Sequence, residues 1–217
     1  MATLGRPRSF DRKEALLRAM EVFWTYGYEG ATLNDLQQAM GGITPPSFYA
    51  AFRSKEALFR EAVELYSSTL GTPMMQALAE RPTARDSIEA LLAGAVAAFS
   101  KPGKPRGCFL VLGAINIAPA NKSVQDYLRL LRARRRKLIE QRLARGVEEG
   151  ELPTSLNLKA LASFYTTVID GLAIQARDGA SREALKFSVH CAMAAWDAMG
   201  VGKEMVGKKM ISNGGRQ

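Results

Sequence analysis

At 217 residues the chain is long enough to bury a full core, as one large domain or two smaller ones. Apolar residues make up 47% and charged residues 24%, the balance of a soluble globular protein, and no apolar run reaches the roughly 20 residues that span a bilayer. Two cysteines, Cys108 and Cys191, exclude a disulfide framework. The polar, basic start MATLGRPRSF does not read as an export segment, so a reducing, cytoplasmic setting is expected.

The formal net charge is +9, yet residues 1–60 hold 8 basic and 6 acidic side chains, a net of only +2. Residues 101–150 hold 12 and 4, a net of +8. Bulk charge therefore does not mark a nucleic-acid site near the N-terminus, and any such reading must rest on local pattern.

Asp11 and Glu14 have the spacing of a capping box, and Leu16, Ala19, Met20, Phe23 and Trp24 follow on one helical face. Gly27 stands where a left-handed residue ends that helix. Thr32 with Asp35 caps a second, short helix whose inward stripe is Leu33, Leu36, Ala39 and Met40. Gly41-Gly42 breaks the chain sharply. Thr44 then caps a third helix with Pro45 and Pro46 at its first positions, where backbone amides lack intrahelical partners anyway. Phe48 and Phe52 face inward at i, i+4, leaving Ser47, Tyr49 and Ala50 outside. Two short helices joined by a glycine turn, with the second presented outward, are the layout of a helix-turn-helix reader of the DNA major groove.

Residues 10–66 resemble the DNA-binding domain of the tetracycline-repressor (TetR) family of transcriptional regulators. The resemblance is carried by FDRKEALLRAMEVFWTYGYEGATLNDLQQAMG and PSFYAAFRSKEALFREAVELY, with A-x-x-x-F, G-Y-x-x-A-T, F-Y-x-x-F and K-E-x-L-F in that order. Gly41-Gly42 gives one residue more between the helices than the usual single-glycine turn of the family. The resemblance implies that Tyr49 and Lys55 reach the phosphate backbone. From groove chemistry, the Thr32, Thr44 and Ser47 hydroxyls can bond phosphates or base edges, and Pro45 and Pro46 can offer apolar contact to a thymine methyl. Arg6 and Arg8 can follow the backbone or enter the minor groove as an arm. This surface is poor in donors, so sequence preference is expected to lean partly on DNA shape.

The rest is expected to be all-helical. Residues 1–54 form the arm and reading head, a helix over 55–71 links the two parts, 55–199 form a ligand-binding and dimerisation domain, and 200–217 form a disordered basic tail. Breaks at Gly71–Pro73, Arg81-Pro82, Lys101–Pro105, Pro119 and Gly150–Pro153 leave helical patterns near 83–100, 107–117, 121–149, 155–178 and 181–199. Phe99, Cys108, Phe109, Leu112, Tyr127, Tyr165 and Ile169 are candidates to line a cavity for an apolar or aromatic small molecule, each with ordinary core packing as the alternative. Around Arg129–Lys137, Leu131 and Leu138 are expected inward and the arginines solvated, with pairing to acidic surface as the alternative.

Leu161, Val168 and Leu172, with the small-residue stripe Ala184, Ser188, Cys191 and Ala195, suit a face that needs a second partner. The resemblance implies a homodimer through these two helices, a palindromic double-stranded DNA operator, and repression relieved by a small molecule. Cys108, after Pro105-Arg106-Gly107, also fits a redox- or electrophile-sensing thiol, with buried packing as the alternative. An enzyme is the competing class. The single histidine, His190, has no partner at metal or catalytic spacing, and Gly200-Val-Gly202-Lys203 lacks the full phosphate-loop pattern, so no cofactor, metal or catalytic residue is expected. A helical module using its helix-turn-helix for protein contacts is the other alternative.

Overall fold

A computed structural model of the full chain describes residues 11–198; Arg6, Arg8, Met199 and the basic tail lie outside the described residues. The elements run α1 (Arg12–Gly30), α2 (Leu33–Ala39), α3 (Pro45–Phe52), α4 (Lys55–Tyr66), α5 (Thr72–Glu80), α6 (Ala84–Phe99), α7 (Phe109–Leu112), α8 (Lys122–Glu148), α9 (Leu158–Arg177) and α10 (Arg182–Ala198). No strand occurs among the described residues, and no helix there is long and apolar enough to cross a membrane.

Local signals set the head. The Asp11 carboxylate accepts from the Lys13 and Glu14 amides at 2.8 and 3.4 Å. Thr32 and Asp35 close a reciprocal capping box, while Thr44 and Ser54 cap α3 and α4. At Gly27 the backbone turns to φ 72°, ψ 175°, a region open to glycine and costly to other residues. That turn frees the Tyr28 amide, which donates to the Gly113 carbonyl at 2.7 Å across the molecule.

The body is built on α6, whose Ile88, Leu91, Leu92, Ala95, Val96 and Phe99 are buried against α5, α8, α9 and α10. Three expectations change here. The chain does not break at Gly71–Pro73. It widens into a π turn over Ser67–Gly71, in which the Thr72 amide donates back to the Ser67 carbonyl, and Pro73 falls in the first turn of α5, where its missing donor is tolerated. The helix expected over 107–117 reduces to Phe109–Leu112, because the Gly113 carbonyl is committed to Tyr28 rather than to a further turn.

The arginine run is not simply a solvated face. Leu128, Arg135 and Arg142 recur every seven residues on the buried stripe of α8, while Leu138 is exposed. Burying a guanidinium demands partners. Arg142 donates to Ser87 Oγ at 2.8 Å, Arg135 pairs with Asp170, and half-buried Arg132 donates to the Leu110 carbonyl at 2.7 Å.

Head and body share one aromatic seam. The Phe59 ring stands edge-on to Phe23 (5.1 Å), Tyr28 (5.2 Å) and Phe109 (5.3 Å), and Tyr66 stands edge-on to Trp24 (4.9 Å). At the end of α9, Arg177 donates to the Trp24 and Thr25 carbonyls of α1 at 2.5 and 2.7 Å, and to the Arg106 carbonyl at 2.9 Å. It thus satisfies carbonyls that the kink at Gly27 leaves without helical partners. Arg177→Ala should cost about 2 kcal/mol, discounted for the part of the side chain in solvent, and should weaken head–body coupling. Calorimetry showing an unchanged melting temperature would remove Arg177 from that role.

Candidate nucleic-acid interface and effector cavity

The outer face of α3 carries Thr44, Pro45, Pro46, Tyr49 and Ala50 exposed and Ser47 half-buried, over a base of buried Phe48 and Phe52. Tyr49 packs edge-on against Phe48 at 5.3 Å, with 49% of the residue exposed. Gly41 and Gly42 both take positive φ, 93° and 73°, and the Gly42 and Ile43 amides fold back onto the Gln37 carbonyl at 2.9 and 3.2 Å. The extra residue of the turn is therefore absorbed in left-handed backbone, and α3 still projects from the head.

Cap chemistry consumes part of the hydroxyl surface. Thr32 Oγ1 donates to Asp35 Oδ2 at 2.6 Å and accepts from the Asp35 amide at 3.1 Å. The Thr32 hydroxyl, together with the Thr32 amide that donates to Asp35 Oδ2 at 3.0 Å, holds the Asp35 carboxyl below its usual range. Thr44 Oγ1 donates to Ser47 Oγ at 3.0 Å, which leaves the Ser47 hydroxyl hydrogen for an outside acceptor.

Lys55 is half-buried, with Nζ 4.5 Å from the Tyr28 ring centroid. Burial lowers its pKa from the usual lysine value, and the Glu29 carboxylate works in the opposite direction. The ring steadies the ammonium at the start of α4. Lys55→Ala should reduce the salt slope of DNA binding by about one unit per half-site. A slope equal to that of the wild type would take Lys55 out of contact with phosphate. Arg53, passed over in the sequence, is exposed at the end of α3 with φ 63° and has no ion-pair partner among the described residues. Its signal was its position between two capped helices, which obliges it to take a turn conformation.

A cavity of about 470 Å³ opens between the α4–π turn–α5 segment, α6 and α8. Of the expected lining residues, Phe99 and Cys108 are on its wall, joined by Tyr66, Leu70, Met74, Met75, Leu110, Leu131 and Arg135. The others are placed elsewhere. Phe109 belongs to the aromatic seam, and half-buried Leu112 ends the short α7 below it. Tyr127 lies under the Arg60 guanidinium at 4.5 Å. Ile169 is buried on α9, and Tyr165 donates to the Ala192 carbonyl at 3.3 Å within the α9–α10 packing. Tyr66 Oη donates to Cys108 Sγ at 3.5 Å. Burial, with Cys108 beside it, holds Tyr66 well above the usual tyrosine range, so it remains a phenol. Cys108 is buried, and the Arg106 guanidinium is turned to the Ala180 carbonyl rather than to the sulfur.

On the outer side of α9 and α10, Val168, Ser188 and Cys191 line one hollow with Phe164 and Ala195 a second, while Leu172 and Leu161, expected on this face, are buried within the protomer at the floor of these hollows. Ala184 is exposed at the start of α10. Phe187 (68% exposed) and Ile174 (46%) extend this apolar face and were not singled out by the small-residue pattern. Among the described residues no group of three or more His, Cys, Asp or Glu is placed to hold a metal ion.

The comparisons agree with this geometry in both halves of the chain. The family model for bacterial regulatory proteins of the tetR family matches residues 15–62, and that for the tetracyclin repressor-like C-terminal domain matches residues 82–190. The chain belongs to the TetR family. It is a DNA-binding transcriptional regulator and not an enzyme. It is 31% identical to the HTH-type transcriptional repressor ComR of Escherichia coli (strain K12), over 88% of this chain and 91% of that protein. It is also 27% identical to the HTH-type transcriptional repressor BdcR of the same organism, over 88% of this chain and 89% of that protein. Among solved structures, a cysteine-substituted form of the TetR family regulator CifR, complexed with 26-bp double-strand operator DNA, is 45% identical, with a TM-score of 0.85. That match covers 88% of this chain and 100% of that one.

Proposed function

We propose that the protein is a homodimeric cytoplasmic repressor that binds a palindromic double-stranded DNA operator through α3 and is released when a small apolar or aromatic molecule enters the cavity. The observation that carries this reading is the physical continuity between cavity and head. Cys108 and Leu110 on the cavity wall lie within five residues of Gly113, whose carbonyl holds the Tyr28 amide at the kink of α1. Tyr66, also on the wall, ends α4, the helix that carries Phe59 into the seam and Lys55 toward DNA. A molecule pressing on this wall biases α4 and α7 together, and so changes the angle at which α3 is held.

Thr32, Thr44, Pro45, Pro46, Ser47, Tyr49 and Lys55 form the reading surface of each protomer, with Arg6 and Arg8 as an arm. The apolar outer face of α9 and α10 supports the dimer, since exposed Phe164, Ile174 and Phe187 on adjacent helices ask for cover. The relatives named as repressors, and the CifR complex with operator DNA, favour repression over activation. Retardation of a duplex from the gene's own upstream region tests the reading. Binding that persists through a broad screen of apolar compounds speaks against a ligand-released repressor.

Cys108 motivates a second reading as a sensor of electrophiles, because its sulfur is on the cavity wall and any reactive molecule admitted there meets it. Iodoacetamide should then label Cys108 in the native protein and weaken operator binding; mass spectrometry finding Cys108 unmodified in the native protein but labelled after denaturation sinks the sensing idea.

A further inference from the structure

We propose that the cavity takes an organic anion, a small carboxylate on an apolar or aromatic body, and that Arg135 is the side chain that recognises its charge. This rests on the reading of the cavity as the effector site and deepens it.

Arg135 lines the cavity and is only 5% exposed. Its ion-pair partner is Asp170 on α9, reached through Nη2 alone. Nε and Nη1 are buried and have no hydrogen-bond partner among the described residues. A guanidinium presents five N–H donors in a fixed fork, and leaving charged donors buried and unmet is expensive. Were Arg135 only a tie between α8 and α9, a two-pronged pair with Asp170 would serve better. Asp170 is itself shared, because Arg132 also lies within its field.

The hydroxyls on the wall are committed, and Gln76, the amide side chain among the lining residues, is exposed. Ser67 Oγ donates to the Val63 carbonyl at 2.8 Å, Thr72 Oγ1 to the Ser67 carbonyl at 3.1 Å, and Tyr66 Oη to Cys108 Sγ. Arg134, the residue before it on α8, also lines the cavity, is exposed and adds a second cation. No lining residue is acidic. Leu70, Met74, Met75, Phe99 and Leu131 make the remainder apolar. Such a wall accepts a hydrocarbon or aromatic body and offers one uncommitted buried donor group for an oxyanion.

The test compares matched pairs on the full chain: decanoate against decanol, and 4-phenylbutyrate against 4-phenylbutanol. Binding is read by titration calorimetry, and release by operator-DNA anisotropy. The carboxylate of a pair should bind roughly tenfold or more tighter than its alcohol, as one charge-assisted hydrogen bond implies. Arg135→Gln should abolish that preference while Arg135→Lys retains part of it. The comparison within the wild type stands even if Arg135→Gln does not fold. Alcohols that bind as tightly as the acids and release DNA overturn the anion assignment and leave the effector cavity intact. A carboxylate preference unchanged in a folded Arg135→Gln protein overturns the role of Arg135. Failure of every member to bind overturns the anion assignment and removes support for the cavity reading as well.

Discussion

Phe59→Ala is expected to lower stability by about 3 to 5 kcal/mol, which for a chain of this size lowers the melting temperature by roughly 10 °C. The side chain is fully buried and touches three aromatic rings edge-on, two from the head and one from α7. Its removal deletes apolar contact and leaves a cavity that rigid rings on three sides are poorly able to collapse. Because Phe109 belongs to the body and Phe23 to the head, the loss falls on the seam between them. Operator binding should therefore weaken, and the response to any cavity ligand should weaken further. Differential scanning calorimetry that finds a shift of only about 2 °C would mean that the seam is held mainly by polar ties such as Arg177.

Tyr49→Ala is expected to have the larger effect on DNA. An exposed phenol bonded to phosphate contributes about 1.5 to 3 kcal/mol, at least roughly tenfold in affinity, and a dimer makes the contact twice. The operator Kd should rise by about 100-fold. Stability should change by no more than about 0.5 kcal/mol, since Tyr49 lies on the surface and only its inner edge meets Phe48. Anisotropy with labelled duplex and calorimetry on the same preparation separate the two effects. An unchanged Kd would move the reading surface away from the middle of α3. The hydroxyls of Thr32 and Thr44 are already engaged in their caps, so few donors remain for bases. A reading surface of this kind is expected to depend on backbone contacts and DNA shape. Operator variants that differ only in uncontacted central base pairs should therefore bind unequally.

The parts legible in the sequence are those set by neighbours a few residues away. The reciprocal cap of Thr32 and Asp35, the cap at Thr44 ahead of Pro45-Pro46, and the inward pair Phe48 and Phe52 all depend on spacing within one turn of helix. What escaped depends on distant partners. The helix expected beyond Leu112 ends because the Gly113 carbonyl is held by Tyr28, 85 positions earlier. Arg135 is expected outside if Leu131 and Leu138 mark the inner face, yet Leu138 is exposed and Asp170 from α9 stands where it allows the guanidinium inside.

The cavity shows the same division. Phe99 and Cys108 were anticipated from apolar runs, whereas the wall formed by Tyr66, Leu70 and Met74 exists only because the chain continues through a π turn where Gly71–Pro73 suggested a break. Phe164 and Phe187 stand exposed beside the small-residue stripe, whose spacing signals close helix packing and carries no mark of the large rings next to it.

The account rests most heavily on a paired reader of a specific operator. Sedimentation velocity of the full chain, titrated against a labelled duplex from its own upstream region and against a scrambled duplex of equal length, tests this directly. The account predicts a complex holding an even number of chains, two for each palindrome, at concentrations that leave the scrambled duplex free. Single chains bound, or equal binding to both duplexes, would contradict it.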